Sequence, residues 1–156
     1  MNIDYSIIKN LIKDNISITA AESLTAGMFQ SILGNVSGVS AIFPGGFVTY
    51  SNSAKELLLD IPNDIINKNG VVSDKTAIWM AKQSKTKMHT NIGVSFTGVA
   101  GPDSLENNPA GTVFIGIDFL DQLPYAQEFH FDGNRNDVRV KSVNTALKMI
   151  ADEYNK

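Results

Sequence analysis

The sequence predicts a layered α/β domain in which a mixed β-sheet is flanked by helices. Segments with apolar residues at helical spacing alternate along the chain with short β-rich runs, the pattern of a sheet covered by helices. Three strand-like segments near the C-terminal end, "NIGVSFTG", "GTVFIGIDF" and "YAQEFHF", follow one another without an intervening helix, so the sheet is mixed rather than purely parallel. With 156 residues and no repeat, low-complexity tract or linker, the chain fits one domain over residues 1–156.

Taken in order, Ile3, Ile7, Ile8, Leu11 and Ile12 mark an amphipathic helix over residues 3–14, and "ISITAA" follows as a strand. The helical pattern resumes from Thr25 to Leu33, with Ser23 or Thr25 as the cap, and stops at Gly34. "GGFVTYS" is a short strand. In "SNSAKELLLDIP", Ser53 and Glu56 have capping-box spacing, which starts a helix at Ser53. A longer helix follows in "VVSDKTAIWMAKQSKTKM", capped at Ser73 or Asp74, with Ala77, Met80, Ala81 and Ser84 on one face and Trp79 as a packing residue. The last helix, residues 134–154, carries the stripe Val143, Ala146, Leu147 and Ile150.

Composition narrows the chemistry. Thirteen basic and 16 acidic residues give a formal charge of −3, no broad footprint for nucleic acid or an anionic membrane, and a small ligand is the better expectation. The absence of cysteine excludes disulfides, thiolate metal sites and cysteine nucleophiles. The N-terminal stretch lacks a signal-peptide pattern and no window approaches 18 consecutive apolar residues, which suggests a cytosolic protein. His89 and His130 stand alone in the sequence, without the convergent ligands of a metal site or an orienting carboxylate for a Ser-His-Asp triad.

A hydrolase with this inventory needs a serine or threonine activated by another base, and a lysine of lowered pKa is the alternative. If Ser53 caps its helix, Lys55 lies in the first turn, where the macrodipole disfavours an ammonium; the competing reading is a solvated lysine. Tyr50 lies five residues earlier, at the same strand-to-helix junction, either as a proton relay or as a half-buried tyrosine with its hydroxyl in water. Ser23 occupies a corresponding junction, where free N–H groups of a first helical turn could receive an oxyanion; otherwise it caps the helix. "TGVAGPD" supplies glycines that either admit a ligand or form an ordinary turn, and it lacks the spacing of a nucleotide fingerprint. Arg135 and Arg139 share one face at the start of the last helix, where a ligand phosphate or a plain ion pair with Asp132 or Asp137 would offset the unfavourable placement of cations.

In order along residues 8–150, "AESLTAG", "FPGGFVTYSNSAK", "GVVSDKTAIWMA", "SFTGVAGPD", "PAGTVFIGI" and "GNRNDVRVKSVNTAL" resemble the CinA C-terminal-domain family, which includes nicotinamide-nucleotide amidases. The resemblance implies an α/β fold and a Ser–Lys amidohydrolase site, with Ser23 as nucleophile, Lys55 as base and Tyr50 as positioning group or relay. The implied reaction converts nicotinamide mononucleotide to nicotinic acid mononucleotide and ammonia, with no cofactor and no metal. Thr25, Gly27, Gly98, Gly101, Arg135 and Arg139 are the expected substrate contacts, the arginines for the 5′-phosphate unless one of them braces a loop or a subunit contact. A homo-oligomer is the family's default. Met1 leads directly into the first helix, as expected for a stand-alone form of the domain.

Two departures bear on activity. Ala26 stands where the family commonly has glycine, and "DSLENNPAGT" lacks the Gly-Gly and Lys that often follow "AGP", with Ser104, Leu105 and Asn108 at the approximate positions. The altered loop keeps two alternatives open: a non-catalytic nucleotide-binding or regulatory module, and an amidase for another small carboxamide. The discriminating observation is whether Ser23 Oγ and Lys55 Nζ come within hydrogen-bond reach.

Overall fold

A computed structural model describes residues 2–156. It contains helix α1 (Ser6–Lys13), strand β1 (Ile18–Glu22), helix α2 (Met28–Gly34), strand β2 (Phe47–Val48), helices α3 (Asn52–Leu59), α4 (Asn63–Asn69) and α5 (Asp74–Met88), strands β3 (Ile92–Gly98), β4 (Thr112–Phe119) and β5 (Tyr125–His130), and helix α6 (Arg135–Tyr154). The sheet has the order β2-β1-β3-β4-β5. β1 runs parallel to both neighbours, whereas β3–β4 and β4–β5 pair antiparallel, so the sheet is mixed as the late run of strands predicts.

Strand alternation divides the core between two faces. Ile18 and Ala20 of β1, with Ile92, Val94 and Phe96 of β3, join the larger cluster, which includes Ile8 and Leu11 of α1, Phe29 and Leu33 of α2, and Val143, Ala146, Leu147 and Ile150 of α6. Ala21 faces the other way, into a smaller cluster with Leu59, Ile66 and Met80.

On that second face α5 lies almost directly on the strands, and the residue sizes explain why. Ala77, Ala81 and Ser84 of the helix are fully buried. A Cβ at Gly93 would collide with the Ala81 carbonyl, and one at Gly116 would sit 2.5 Å from the Ala77 carbonyl. Ser95 Oγ donates to that same Ala77 oxygen at 2.5 Å. Small residues on both partners therefore set the close approach, and the helix is capped at Ser73, whose hydroxyl accepts from Thr76 N–H at 3.2 Å.

Local starts differ from expectation at three places. α1 begins at Ser6 rather than at Ile3, which packs against the larger cluster ahead of the helix. α3 is capped by Ser51, in extended conformation and accepting from Ala54 N–H at 3.0 Å; Ser53 lies inside the helix, and Glu56 instead accepts from Asn63 Nδ2 at 2.6 Å. α2 begins at Met28 rather than Thr25, because residues 23–27 form a turn with Ala26 (φ 47°) and Gly27 (φ 93°) in the left-handed region. The short α4 has no counterpart in the sequence reading: "NDIINKN" offers only adjacent Ile65 and Ile66, too few apolar positions to establish a period. Among the described residues no helix is long and apolar enough to cross a membrane.

Candidate active site

The site forms at the carboxyl ends of the parallel strands, beside β1, where the chain leaves the sheet toward both neighbours. Such crevices are the habitual ligand sites of α/β sheets. Ser23 extends β1 by one residue, donating its N–H to Phe96 O at 2.9 Å, while Thr49 N–H bonds Glu22 O at 2.9 Å and extends the β2 side. Thus the two strand-to-helix junctions, 23–27 and 49–52, are brought side by side.

Lys55 crosses from α3 into this junction and is 1% exposed. Its Nζ lies 3.0 Å from Ser23 Oγ, 2.8 Å from Thr49 O and 3.2 Å from Tyr50 O. Burial pushes its pKa down from 10.5 to about 8, with the negative charge of Glu106 acting in the opposite direction. Desolvation rather than a helix terminus lowers the pKa, since with Ser51 as cap Lys55 is the fourth helical residue.

Three acceptors around one amine suit both charge states. An ammonium gives one N–H to each, with the Ser23 hydroxyl directed at Tyr50 O, 3.4 Å away. A neutral amine can keep two N–H bonds to the carbonyls and turn its lone pair to Ser23 Oγ. Proton transfer therefore requires no rearrangement of heavy atoms.

Tyr50 contributes to this centre through its backbone carbonyl. The residue is 53% exposed, and its phenol oxygen accepts from Arg135 Nη2 at 2.5 Å. Arg135 also donates from Nη1 to Gly101 O at 2.7 Å, linking α6 to the glycine loop. The two arginines take different partners here. Arg139 turns inward, donating from Nε to Leu24 O and from Nη2 to Thr25 O, both at 3.0 Å, and so holds the turn that carries Ser23. Neither arginine pairs with Asp132 or Asp137; Asp137 completes a capping box with Asn134.

A cavity of about 370 Å³ opens onto the pair. Ser23, Tyr50, Lys55, Gly98, Gly101 and Arg135 line it, whereas Thr25, Gly27 and Arg139 lie outside its wall. Thr25 is fully buried and its hydroxyl has no partner among the described residues. Gly98 is needed for close packing, since a Cβ there would lie 2.8 Å from Val113 Cα. His89 caps the C-terminal end of α5, and His130 pairs with Glu128 on β5, both away from the cavity.

Sequence reasoning left Glu22 without a role, and the structure supplies one. Its fully buried carboxylate accepts from Phe29 N–H at 2.8 Å, Gln30 N–H at 3.2 Å and Gln30 Nε2 at 2.8 Å. It therefore caps α2 from the strand, seven residues before Phe29, where the usual N-cap spacing gives no signal. Gln30 Nε2 also donates to Phe47 O at 3.1 Å, tying the same group to β2. Val71, Val72 and Thr97 are further wall residues without a sequence signature of their own, and the wall also includes Asp103, a candidate polar contact from the "TGVAGPD" loop, and Leu105 of the altered loop.

Residues 2–154 match the CinA C-terminal domain family. A Lactiplantibacillus plantarum relative named for competence-damage induction is 52% identical over 150 residues, covering 96% of this chain and 36% of the relative. A similarly named Streptococcus pneumoniae protein is 48% identical over 145 residues, covering 92% of this chain and 34% of its own length. The chain thus spans about a third of the curated relatives it matches. A solved competence damage-inducible protein A from Klebsiella pneumoniae superposes with a TM-score of 0.93 at 26% identity, covering 99% of this chain and 98% of that one. A CinA superfamily protein from Escherichia coli gives a TM-score of 0.90 at 29% identity, covering 94% and 85% respectively. With its strands, junctions and nearly its whole length accounted for by this match, the chain belongs to the CinA C-terminal domain family.

Proposed function

We propose that this protein is an amidohydrolase that deamidates nicotinamide mononucleotide to nicotinic acid mononucleotide and ammonia. The observation that carries the reading is the buried 3.0 Å contact between Ser23 Oγ and Lys55 Nζ. At neutral pH a lysine titrating at about 8 is neutral in roughly one molecule in ten, some 300 times more often than one titrating at 10.5.

Neutral Lys55 takes the Ser23 proton as Oγ attacks the carboxamide carbon. The tetrahedral intermediate carries the charge on the former carbonyl oxygen; the Leu24 N–H, without a hydrogen bond among the described residues, is the nearest unused donor along the chain after the nucleophile. Collapse breaks the C–N bond, and Lys55 returns the proton to the departing nitrogen, giving ammonia and an acyl-Ser23 ester. Water, deprotonated by Lys55, then attacks the ester and restores Ser23 as the carboxylic acid leaves. This chemistry needs no cofactor.

Tyr50 fixes Lys55 through its carbonyl and positions Arg135 through its phenol. Arg135 is the phosphate contact in this scheme, with Gly98 and Gly101 shaping the space between phosphate and nucleophile. Arg139 acts on the nucleophile turn instead. The resemblance also implies self-association, which sedimentation equilibrium would test, with the exposed Leu57 and Leu58 of α3 as candidate contacts.

The test is ammonia release from nicotinamide mononucleotide, compared with its riboside and with nicotinamide. Wild-type protein should prefer the mononucleotide, and Ser23→Ala should abolish turnover. Equal ammonia from the Ser23→Ala variant would remove the mechanism, and nucleotide binding without turnover in wild type would make the domain a binding module.

A further inference from the structure

Glu106 takes no part in the chemistry above, yet its carboxylate bonds another segment of the chain beside the cavity. Oε2 accepts from Val71 N–H at 3.1 Å and Oε1 from Val72 N–H at 2.8 Å. Both valines line the cavity, and so does Leu105, the residue before Glu106.

Each side of this contact is built to receive the other. On the loop, Leu105 and Asn108 exchange backbone hydrogen bonds at 3.0 and 2.8 Å around Glu106 (φ 51°) and Asn107 (φ 61°). This is a two-residue turn with both central residues left-handed, a conformation that asparagine tolerates and glutamate does not favour. The strained glutamate is offset by docking rather than by the turn itself. On the receiving side, Gly70 (φ 78°) leaves room for the carboxylate, because a Cβ there would lie 2.6 Å from Oε2. Ser73 Oγ and Thr76 Oγ1 donate to Gly70 O at 2.9 and 2.7 Å, and Thr97 Oγ1 donates to Val71 O at 2.6 Å, which fixes the cradle from below.

We propose that Glu106 is a positioning residue whose carboxylate latches the 103–110 loop onto the Val71–Val72 backbone and so holds Leu105 in the wall of the cavity containing Ser23 and Lys55. The loop lacks a glycine pair, and this clasp gives it a defined course without one. The latch stands on geometry alone; its effect on turnover rests on the amidase reading. Glu106 also favours the charged form of Lys55, in a cavity whose wall carries Asp103 and Arg135 as the other ionic groups.

Amide hydrogen exchange followed by NMR tests the latch directly in wild type, Glu106→Gln and Glu106→Ala. The alanine variant should lose about tenfold or more of the protection at Val71 and Val72 while the α5 amides stay protected, and the glutamine variant, which retains one acceptor, should fall between. In the ammonia assay, Glu106→Ala should raise KM about tenfold with kcat within about twofold. The acid limb of the kcat/KM profile should move to lower pH in both variants, a change that a loop of purely structural importance would not cause. Unchanged exchange at Val71 and Val72 in Glu106→Ala, or loosening spread evenly over α5, would overturn the proposal. If wild type releases no ammonia but the two amides still open in the variant, the latch stands and the amidase reading falls.

Discussion

Replacing Lys55 by methionine tests the central claim about the site, that burial rather than a helix terminus sets the lysine's behaviour. Methionine retains an unbranched apolar stem and removes the titrating group. In the folded protein Lys55 titrates at about 8 instead of 10.5. Each unit is worth about 1.4 kcal/mol, so the difference amounts to about 3 kcal/mol for this fully buried side chain. The sign follows from proton binding. Between pH 8 and 10.5 the unfolded chain holds a proton on Lys55 that the folded chain has released, so raising the pH through that window stabilises the folded state, and below pH 8 the cost of the buried ammonium is constant. Urea unfolding of wild type and Lys55→Met at a series of pH values should therefore show the wild type gaining about 3 kcal/mol relative to the variant between pH 7 and 10.5. Other lysines and tyrosines titrate in both proteins and cancel in the difference. Parallel stability curves across that range would refute the reasoning, since the amine would then titrate as it does in the unfolded chain.

Four further substitutions probe the frame around the pair. Ala26 is exposed and left-handed, and it does not line the cavity, so its side chain strains the turn; Ala26→Gly should change stability by about 1 kcal/mol or less in the stabilising direction and leave kcat unaltered, as read from melting temperature and ammonia release. Glu22→Gln presents an amide donor to a cluster of three N–H donors and should cost about 2–3 kcal/mol in urea unfolding, whereas a loss under about 0.5 kcal/mol would show that water or a shifted backbone replaces the cap. Arg139→Ala frees the Leu24 and Thr25 carbonyls and should lower kcat by about tenfold with KM little changed, while Arg135→Ala should raise KM by about tenfold; the reverse partition would exchange the roles given to the two arginines.

The strands and the longer helices were legible because their packing partners repeat at regular spacing. Ala77, Met80, Ala81 and Ser84 read as one face in the sequence and are all buried in the structure. The bringing together of Ser23 and Lys55 was not written in periodicity at all, because it depends on the parallel placement of β1 and β2; the family resemblance supplied it, and the fold places the two side chains 3.0 Å apart. Caps were read less well. Ser51 and Ser53 both offer hydroxyls at plausible spacing, and only backbone conformation chooses between them. Glu22 and Glu106 were invisible for a shared reason: each carboxylate serves backbone N–H groups of a different segment, seven and about 35 residues away, and no local pattern records such a bond.

The antiparallel half of the sheet has a practical consequence. β4 starts beside the cavity and runs away from it, so the β4–β5 turn lies at the far end of the molecule, and Leu123 within it is 89% exposed. Because the chain contains no cysteine, a single Leu123→Cys change creates a unique thiol there. A fluorophore or a surface tether attached at that point would report on or immobilise the protein without approaching the Ser23–Lys55 end.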